Sequence, residues 1–177
     1  MKVFGFTGHS GAGKTTLIEG LIRRFAEQEL RVSSIKHARE GIPFDQDGKD
    51  SRRHVQAGSR EVLLVSGKRW MLQHESDDEP ELTLAQQIAL LSPCDLVLLE
   101  GYKAQHIPRI AVFRAANRKP FEIPDIAGVC AVASDIALDV PYPTFDLDDH
   151  DGIASFILER LALRRKPAPL RLVSGGR

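Results

Sequence analysis

The chain has 177 residues, 42% hydrophobic and 27% charged, with 24 lysines and arginines against 24 aspartates and glutamates. That length fits about one domain, which buries roughly 70% of its extended surface, so a disordered chain, a collagen-like repeat and a disulfide scaffold are excluded. The zero charge balance argues against a broad basic field for nucleic acid or for an anionic membrane.

In chain order, residues 3–7 read as a short buried strand bounded by Gly8. From Lys14 the period changes. Leu17, Leu21 and Phe25, with Ile18 and Ile22, recur at helical spacing to about Gln28. Residues 31–36 are a second strand, followed by a polar loop over 37–49 that carries Asp45 and Asp47. Asp50-Ser51 is a helix start signal, and Gly58 a stop for a short helix over 52–57. Two strands, 61–66 and 69–75, flank Gly67-Lys68, the pattern of a two-residue hairpin with a type II′ turn. An antiparallel pair there departs from a purely parallel order.

Residues 82–91 read as a helix. The continuous apolar run Leu96-Val97-Leu98-Leu99 is what a central strand covered on both faces requires. Strands are expected over 109–114 and 126–133, and a closing helix over 153–163. Alternating strands and helices give a three-layer α/β domain over 1–163, mainly parallel with one antiparallel hairpin. Residues 164–177, with Pro167, Pro169 and several arginines, read as a flexible basic tail. The acidic runs at 75–81 and 139–151 read as solvated loops. Cys94 and Cys130 form no CxxC pair and read as buried free thiols in a reducing compartment. The first apolar run is too short for a signal segment or a membrane span, so a cytoplasmic protein is expected.

Gly8-His9-Ser10-Gly11-Ala12-Gly13-Lys14-Thr15 fits G-x-x-x-x-G-K-[ST] at every fixed position, between a strand and a periodic helix. The glycines let several backbone N–H groups turn toward one phosphate. The helix adds the positive end of its dipole. Lys14 reaches the β- and γ-phosphates, and the Thr15 hydroxyl offers an oxygen to Mg²⁺. The stretch from Gly8 to Thr15 is therefore read as a nucleotide phosphate site, and the fold as that of the P-loop NTPases.

A P-loop also needs a carboxylate at the carboxyl end of a neighbouring strand to support Mg²⁺. Asp95 and Glu100 bracket the central apolar run, about 16 Å apart along a strand. Ligands of open α/β sheets sit at the carboxyl ends, so Glu100 is chosen and Asp95 falls on the opposite rim. Asp50 either caps its helix or orients water and supports Mg²⁺ from a loop that responds to the γ-phosphate; the two roles are compatible. His37 is placed beside the site. The guanine-reading Asn-Lys-x-Asp pattern is missing at Asn117-Arg118-Lys119-Pro120. Asp135, after an apolar strand, either meets the N1 and N2 hydrogens of guanine or caps the next turn. ATP and GTP stay open on these residues.

The P-loop with Thr16-Leu17, Ile35-Lys36-His37, Gly48-Lys49-Asp50-Ser51, Ala57-Gly58, and Asp95 through Glu100-Gly101-Tyr102-Lys103 together resemble the MobB family of molybdopterin-guanine dinucleotide biosynthesis adapters. The resemblance spans roughly residues 2–163. It implies a homodimer that binds GTP with Mg²⁺, hydrolyses it weakly, and assists the guanylyltransferase that attaches GMP to molybdopterin. It also implies Ser10 to Thr16 as the phosphate site, Glu100 as strand-end acid, and Asp50 in the responsive loop. Further histidines that the family often carries are replaced here by Ala38-Arg39-Glu40, and Asp47 directly precedes Gly48. The competing expectation is a P-loop small-molecule kinase, whose lid arginines would be Arg52, Arg53 and Arg60.

Overall fold

The structure, a computed structural model, describes residues 1–38, 50–76, 79–120 and 127–163. Asp45, Asp47, Asp77, Asp78, Ile126 and the expected tail over 164–177 lie outside the described residues. In chain order the elements are β1 (Lys2–Thr7), α1 (Lys14–Glu27), β2 (Val32–Lys36), α2 (Asp50–Gln56), β3 (Glu61–Ser66) and β4 (Arg69–His74). They continue as α3 (Leu84–Ala89), β5 (Leu96–Glu100), β6 (Arg109–Phe113), a 3₁₀ turn (Ala115–Asn117), β7 (Val129–Ser134), β8 (Thr144–Asp146) and α4 (His150–Arg160). The chain divides into two compact units, one from Met1–His37 with the chain from Leu91 onward, the other from Ala38–Leu90.

The first unit is built on a six-stranded sheet in the order β2-β5-β1-β6-β7-β8. Every pair in it is parallel. Successive side chains of a strand point to opposite faces. Phe4 and Phe6 of β1, Leu96 and Leu98 of β5, Ile110 and Val112 of β6, and Ala131 and Ala133 of β7 share one core. Leu17, Leu21 and Phe25 of α1 and Ile153 and Ile157 of α4 complete it. The alternate residues Val97, Leu99, Ala111 and Val132 are buried as well. Both faces are thus shielded from water, as a parallel sheet demands, which is why β5 reads as an unbroken apolar run. Fully buried side chains of this size each contribute on the order of 1.5–3 kcal/mol.

α1 and α4 pack on one another because Gly20 leaves room: a Cβ there would lie 2.5 Å from Nε2 of His150. Arg24 reaches across to Asp151 at 2.8 Å. α4 begins three residues before the expected start. Asp149 is its cap, accepting from the Gly152 N–H at 2.9 Å, so part of the second acidic run serves a helix terminus. Neither β8 nor the 3₁₀ turn was expected from the sequence. Cys94 and Cys130 are free and half-buried, less enclosed than expected.

In the second unit, β3 and β4 pair antiparallel with Ser66 opposite Arg69, and they form a sheet of their own. Gly67 is not among the left-handed glycines, so the tip is not the type II′ turn its sequence suggested. Among the described residues nothing lies within 4 Å of a Cβ built at Gly67, so no packing contact with them dictates its backbone. His74 sits between Glu61 at 2.8 Å and Glu79 at 3.3 Å, and Arg60 also pairs with Glu79. Thr83 and Gln86 form a reciprocal capping box that starts α3 two residues later than expected. Asp50 is the first residue of α2 and lies 3.7 Å from Arg53. Among the described residues no helix is long and apolar enough to cross a membrane.

Candidate nucleotide site

β1 ends at Thr7 and the chain turns at once into the glycine loop. Gly8 has φ 146°, and a Cβ on it would lie 2.2 Å from the Val112 carbonyl oxygen of the neighbouring strand. Only glycine fits there. Gly13 closes the loop as the N-cap of α1, with φ 92° and no side-chain cap, and the first turn carries no acid. A 14-residue helix therefore begins without a side chain of its own on the N–H groups of its first turn. Those groups and the helix dipole are available to an anion.

Lys14 and Thr15 stand at this terminus. The Lys14 ammonium donates to the carbonyl oxygens of Gly8 at 3.1 Å and His9 at 2.8 Å, so the lysine arches over its own loop. The Thr15 hydroxyl is 3.2 Å from Oε1 and 3.1 Å from Oε2 of Glu100. Parallel register puts them together: β5 lies beside β1, with Glu100 level with Phe6 on one side and with Lys36 of β2 on the other. Lys36 Nζ is 3.7 Å from Glu100 Oε1. Burial lowers the Lys14 pKa below a lysine's usual value; Glu100 opposes that shift, while Lys103 and Lys36 reinforce it. Asp95 is at the opposite rim, where its carboxylate accepts from the Arg31 N–H at 2.8 Å.

A hydroxyl and a largely buried carboxylate side by side form a hard-oxygen donor set. That suits Mg²⁺, which takes one or two protein oxygens and completes its shell with water and phosphate. Thr15 and Glu100 are the residues that fit the ion.

The other flank of the loop was not foreseen. Asn117 donates its side-chain N–H to the Ser10 carbonyl at 2.8 Å. The Arg114 guanidinium lies against Gly13, 3.1 Å from where a Cβ would be. Asp135, expected either at guanine or on a turn, accepts from the Ala115 N–H through Oδ1 at 2.8 Å. It thereby fixes the 3₁₀ turn that carries Asn117 to the P-loop. No local signal marks the Asn117–Ser10 contact, since the two are 107 positions apart. Asp50 belongs to the second unit and Thr16 is exposed at the start of α1. The His37 ring lies 5.6 Å from that of Tyr102.

A parallel sheet with a glycine loop running from β1 into a helix, and an acid closing the adjacent strand, defines the class: a P-loop α/β protein. The chain belongs to the family described as molybdopterin guanine dinucleotide synthesis protein B, MobB, whose model matches residues 3–135. It is 36% identical over 162 residues to the molybdopterin-guanine dinucleotide biosynthesis adapter protein of Escherichia coli K12, covering 90% of this chain and 93% of that one. The protein of the same name from Haemophilus influenzae is 38% identical over 158 residues, 89% and 88% of the two chains. A crystal structure of molybdopterin-guanine biosynthesis protein B superposes with TM-score 0.73 at 28% identity, over 90% of this chain and 99% of that one.

Proposed function

We propose that this chain is the adapter of molybdopterin-guanine dinucleotide synthesis and that it carries GTP with Mg²⁺ on the loop from Ser10 to Thr16. Family membership supports the adapter role. One observation supports the nucleotide reading above all: Thr15 and Glu100 meet at 3.1 Å beside an arched Lys14 and a helix terminus whose N-cap, Gly13, offers no side-chain cap. Backbone N–H groups and Lys14 bind the phosphates. Thr15 and Glu100 would hold Mg²⁺, which would supply positive charge to offset the charge developing on the phosphates. Glu100 would hold the ion's hydration shell. Slow turnover is expected, and the adapter delivers bound nucleotide to the guanylyltransferase and its molybdopterin substrate.

Guanine selectivity is assigned to Asp135, whose position at the end of β7 supports it: Oδ1 is engaged by the Ala115 N–H, and the other oxygen serves the base. A homodimer in the cytoplasm completes the proposal. Exposed apolar side chains on the hairpin, among them Val65 at 74% and Trp70 at 70%, support self-association. The kinase alternative is less favoured. Two of its expected lid arginines, Arg53 and Arg60, are paired with Asp50 and Glu79.

Calorimetric titration with GTP and ATP in Mg²⁺ tests the reading. GTP binds wild type, and Lys14→Ala weakens it by about 3 kcal/mol or more, beyond a hundredfold, without unfolding the domain. Asp135→Ala erases the preference for GTP over ATP. Equal avidity for both nucleotides in wild type removes the guanine assignment. Complementation of a strain lacking the guanine dinucleotide cofactor separates adapter from kinase.

A further inference from the structure

The loop after Glu100 has a shape that the nucleotide reading leaves unused, and the role inferred for it rests on that reading. In a P-loop the hydroxyl after the lysine faces the metal that bridges β- and γ-oxygens. Here that hydroxyl, Thr15, faces Glu100 at the carboxyl end of β5. The Asn117–Ser10 contact marks the opposite flank, beyond β6. The segment leaving β5 therefore stands on the γ-phosphate side.

That segment is held from both ends. At Gly101 the chain passes so close to His37 that a Cβ would lie 2.9 Å from its carbonyl oxygen, and φ is 98°. The His37 N–H in turn donates to the Glu100 carbonyl at 3.0 Å. At the far end stands Arg109, 2% exposed in β6. Its hydrogen bonds among the described residues go to main-chain carbonyls: Tyr102 at 2.8 Å, Lys103 at 3.3 Å, Ile107 at 3.4 Å, and Gln105. Burying a guanidinium costs free energy, and an apolar side chain would fill the same space at less cost. Arg109 spends that cost on fixing the path of one loop, whose exposed residues are Lys103, Ala104, Gln105 and His106; Lys103 is the one lysine among them.

Lys36 Nζ lies 3.7 Å from Glu100 Oε1, Lys14 arches over the neighbouring loop, and Lys103 sits in the tight turn after Glu100, its N–H donating to the Gly101 carbonyl at 2.9 Å. Among the described residues, three lysines and one carboxylate on this flank leave an excess of positive charge on the metal side of the loop. A γ-phosphate supplies the missing negative charge. We propose that Lys103 contacts the γ-phosphate of the bound nucleotide, and that Arg109 is the positioning residue that holds Lys103 there. The adapter then distinguishes triphosphate from diphosphate through this loop.

Calorimetry of the full chain with GTP and GDP, and with ATP and ADP in parallel, tests the assignment. Lys103→Ala raises the Kd for GTP about tenfold or more, the effect of one charge-assisted hydrogen bond, while GDP changes by less than about twofold. Lys103→Arg keeps the selectivity. Arg109→Lys keeps the charge but cannot span several carbonyls, so it reproduces the GTP-selective loss. A general structural defect would weaken both nucleotides alike, and if Arg109→Lys fails to fold, the exposed Lys103 variants decide alone. Equal loss for GTP and GDP in Lys103→Ala, or no loss, overturns the proposal while leaving the nucleotide site intact. Wild type that binds neither nucleotide removes both.

Discussion

The Thr15 hydroxyl lies 3.1 Å from the Glu100 carboxylate, across 85 positions of sequence. This contact joins the first turn of α1 to the end of β5. There a hydroxyl, a carboxylate and the N-terminus of a 14-residue helix converge.

Glu100→Gln keeps the size of the side chain and removes its charge. Nucleotide measured without metal binds within a few-fold of wild type, because the N–H groups and Lys14 are untouched. Affinity for Mg²⁺ in the ternary complex falls about 10–100-fold, and hydrolysis falls with it. A Mg²⁺ titration of GTP binding reads this directly; an unaltered curve would take Glu100 out of the metal site.

Two glycines separate a demanded backbone from a free one. Gly8→Ala meets both left-handed strain and the Val112 carbonyl, which cannot move without the sheet. It costs about 3 kcal/mol or more, a Tm loss of roughly 6–12 °C in a chain of this size. Gly67→Ala at the hairpin tip is neutral to about 0.5 kcal/mol, since its backbone suits any residue. A loss of about 1 kcal/mol or more at Gly67 would restore the mirror-image turn.

Asp149→Ala removes the acceptor for the Gly152 N–H at the start of α4. The expected cost is about 1 kcal/mol, seen as a Tm lowered by about 2–4 °C. Asp149→Ser, which caps in the same way, recovers most of it. An alanine variant as stable as wild type would show that the cap contributes nothing.

Lys14 carries a pH signature. Burial lowers its folded pKa below the ordinary 10.5, so the folded chain gives up this proton before the unfolded chain does. The resulting penalty on stability is fully present below the lowered value and is relieved as pH rises through it toward 10.5. Without nucleotide, the stability of wild type relative to Lys14→Met therefore improves between neutral pH and 10.5, measured by urea unfolding at each pH. A pH-independent difference would mean that the ammonium is not desolvated.

The parts of the site that the sequence announced are those where chemistry and local conformation coincide. The P-loop needs glycines in a strand–helix turn, and β5 needs an unbroken apolar run ending in an acid; both are visible in short consecutive stretches. Apart from Thr15 and Glu100, which each carry a motif signature, contacts assembled from distant segments were invisible. Asn117 looked like a failed base-reading motif, yet its amide holds the Ser10 carbonyl. Arg109 looked like the polar first residue of a strand, although it is almost wholly enclosed. β8 has only Thr144–Asp146 and comes after a proline, too little for an alternating pattern to register. The hairpin was legible from its paired apolar runs, whereas its tip was misread because a glycine permits a left-handed backbone without requiring one.

The row Phe6, Glu100 and Lys36, level across β1, β5 and β2, also works as a ruler. Deleting one residue inside β5 would bring Gly101 to the height of Phe6 and exchange the two buried faces of the strand. Inserting one would bring Leu99 there. Either change would cost the acid and the core together. Length variation in this chain is therefore confined to its loops, and the hairpin tip at Gly67, with none of the described residues packed against it, is the place to graft a reporter or a tether.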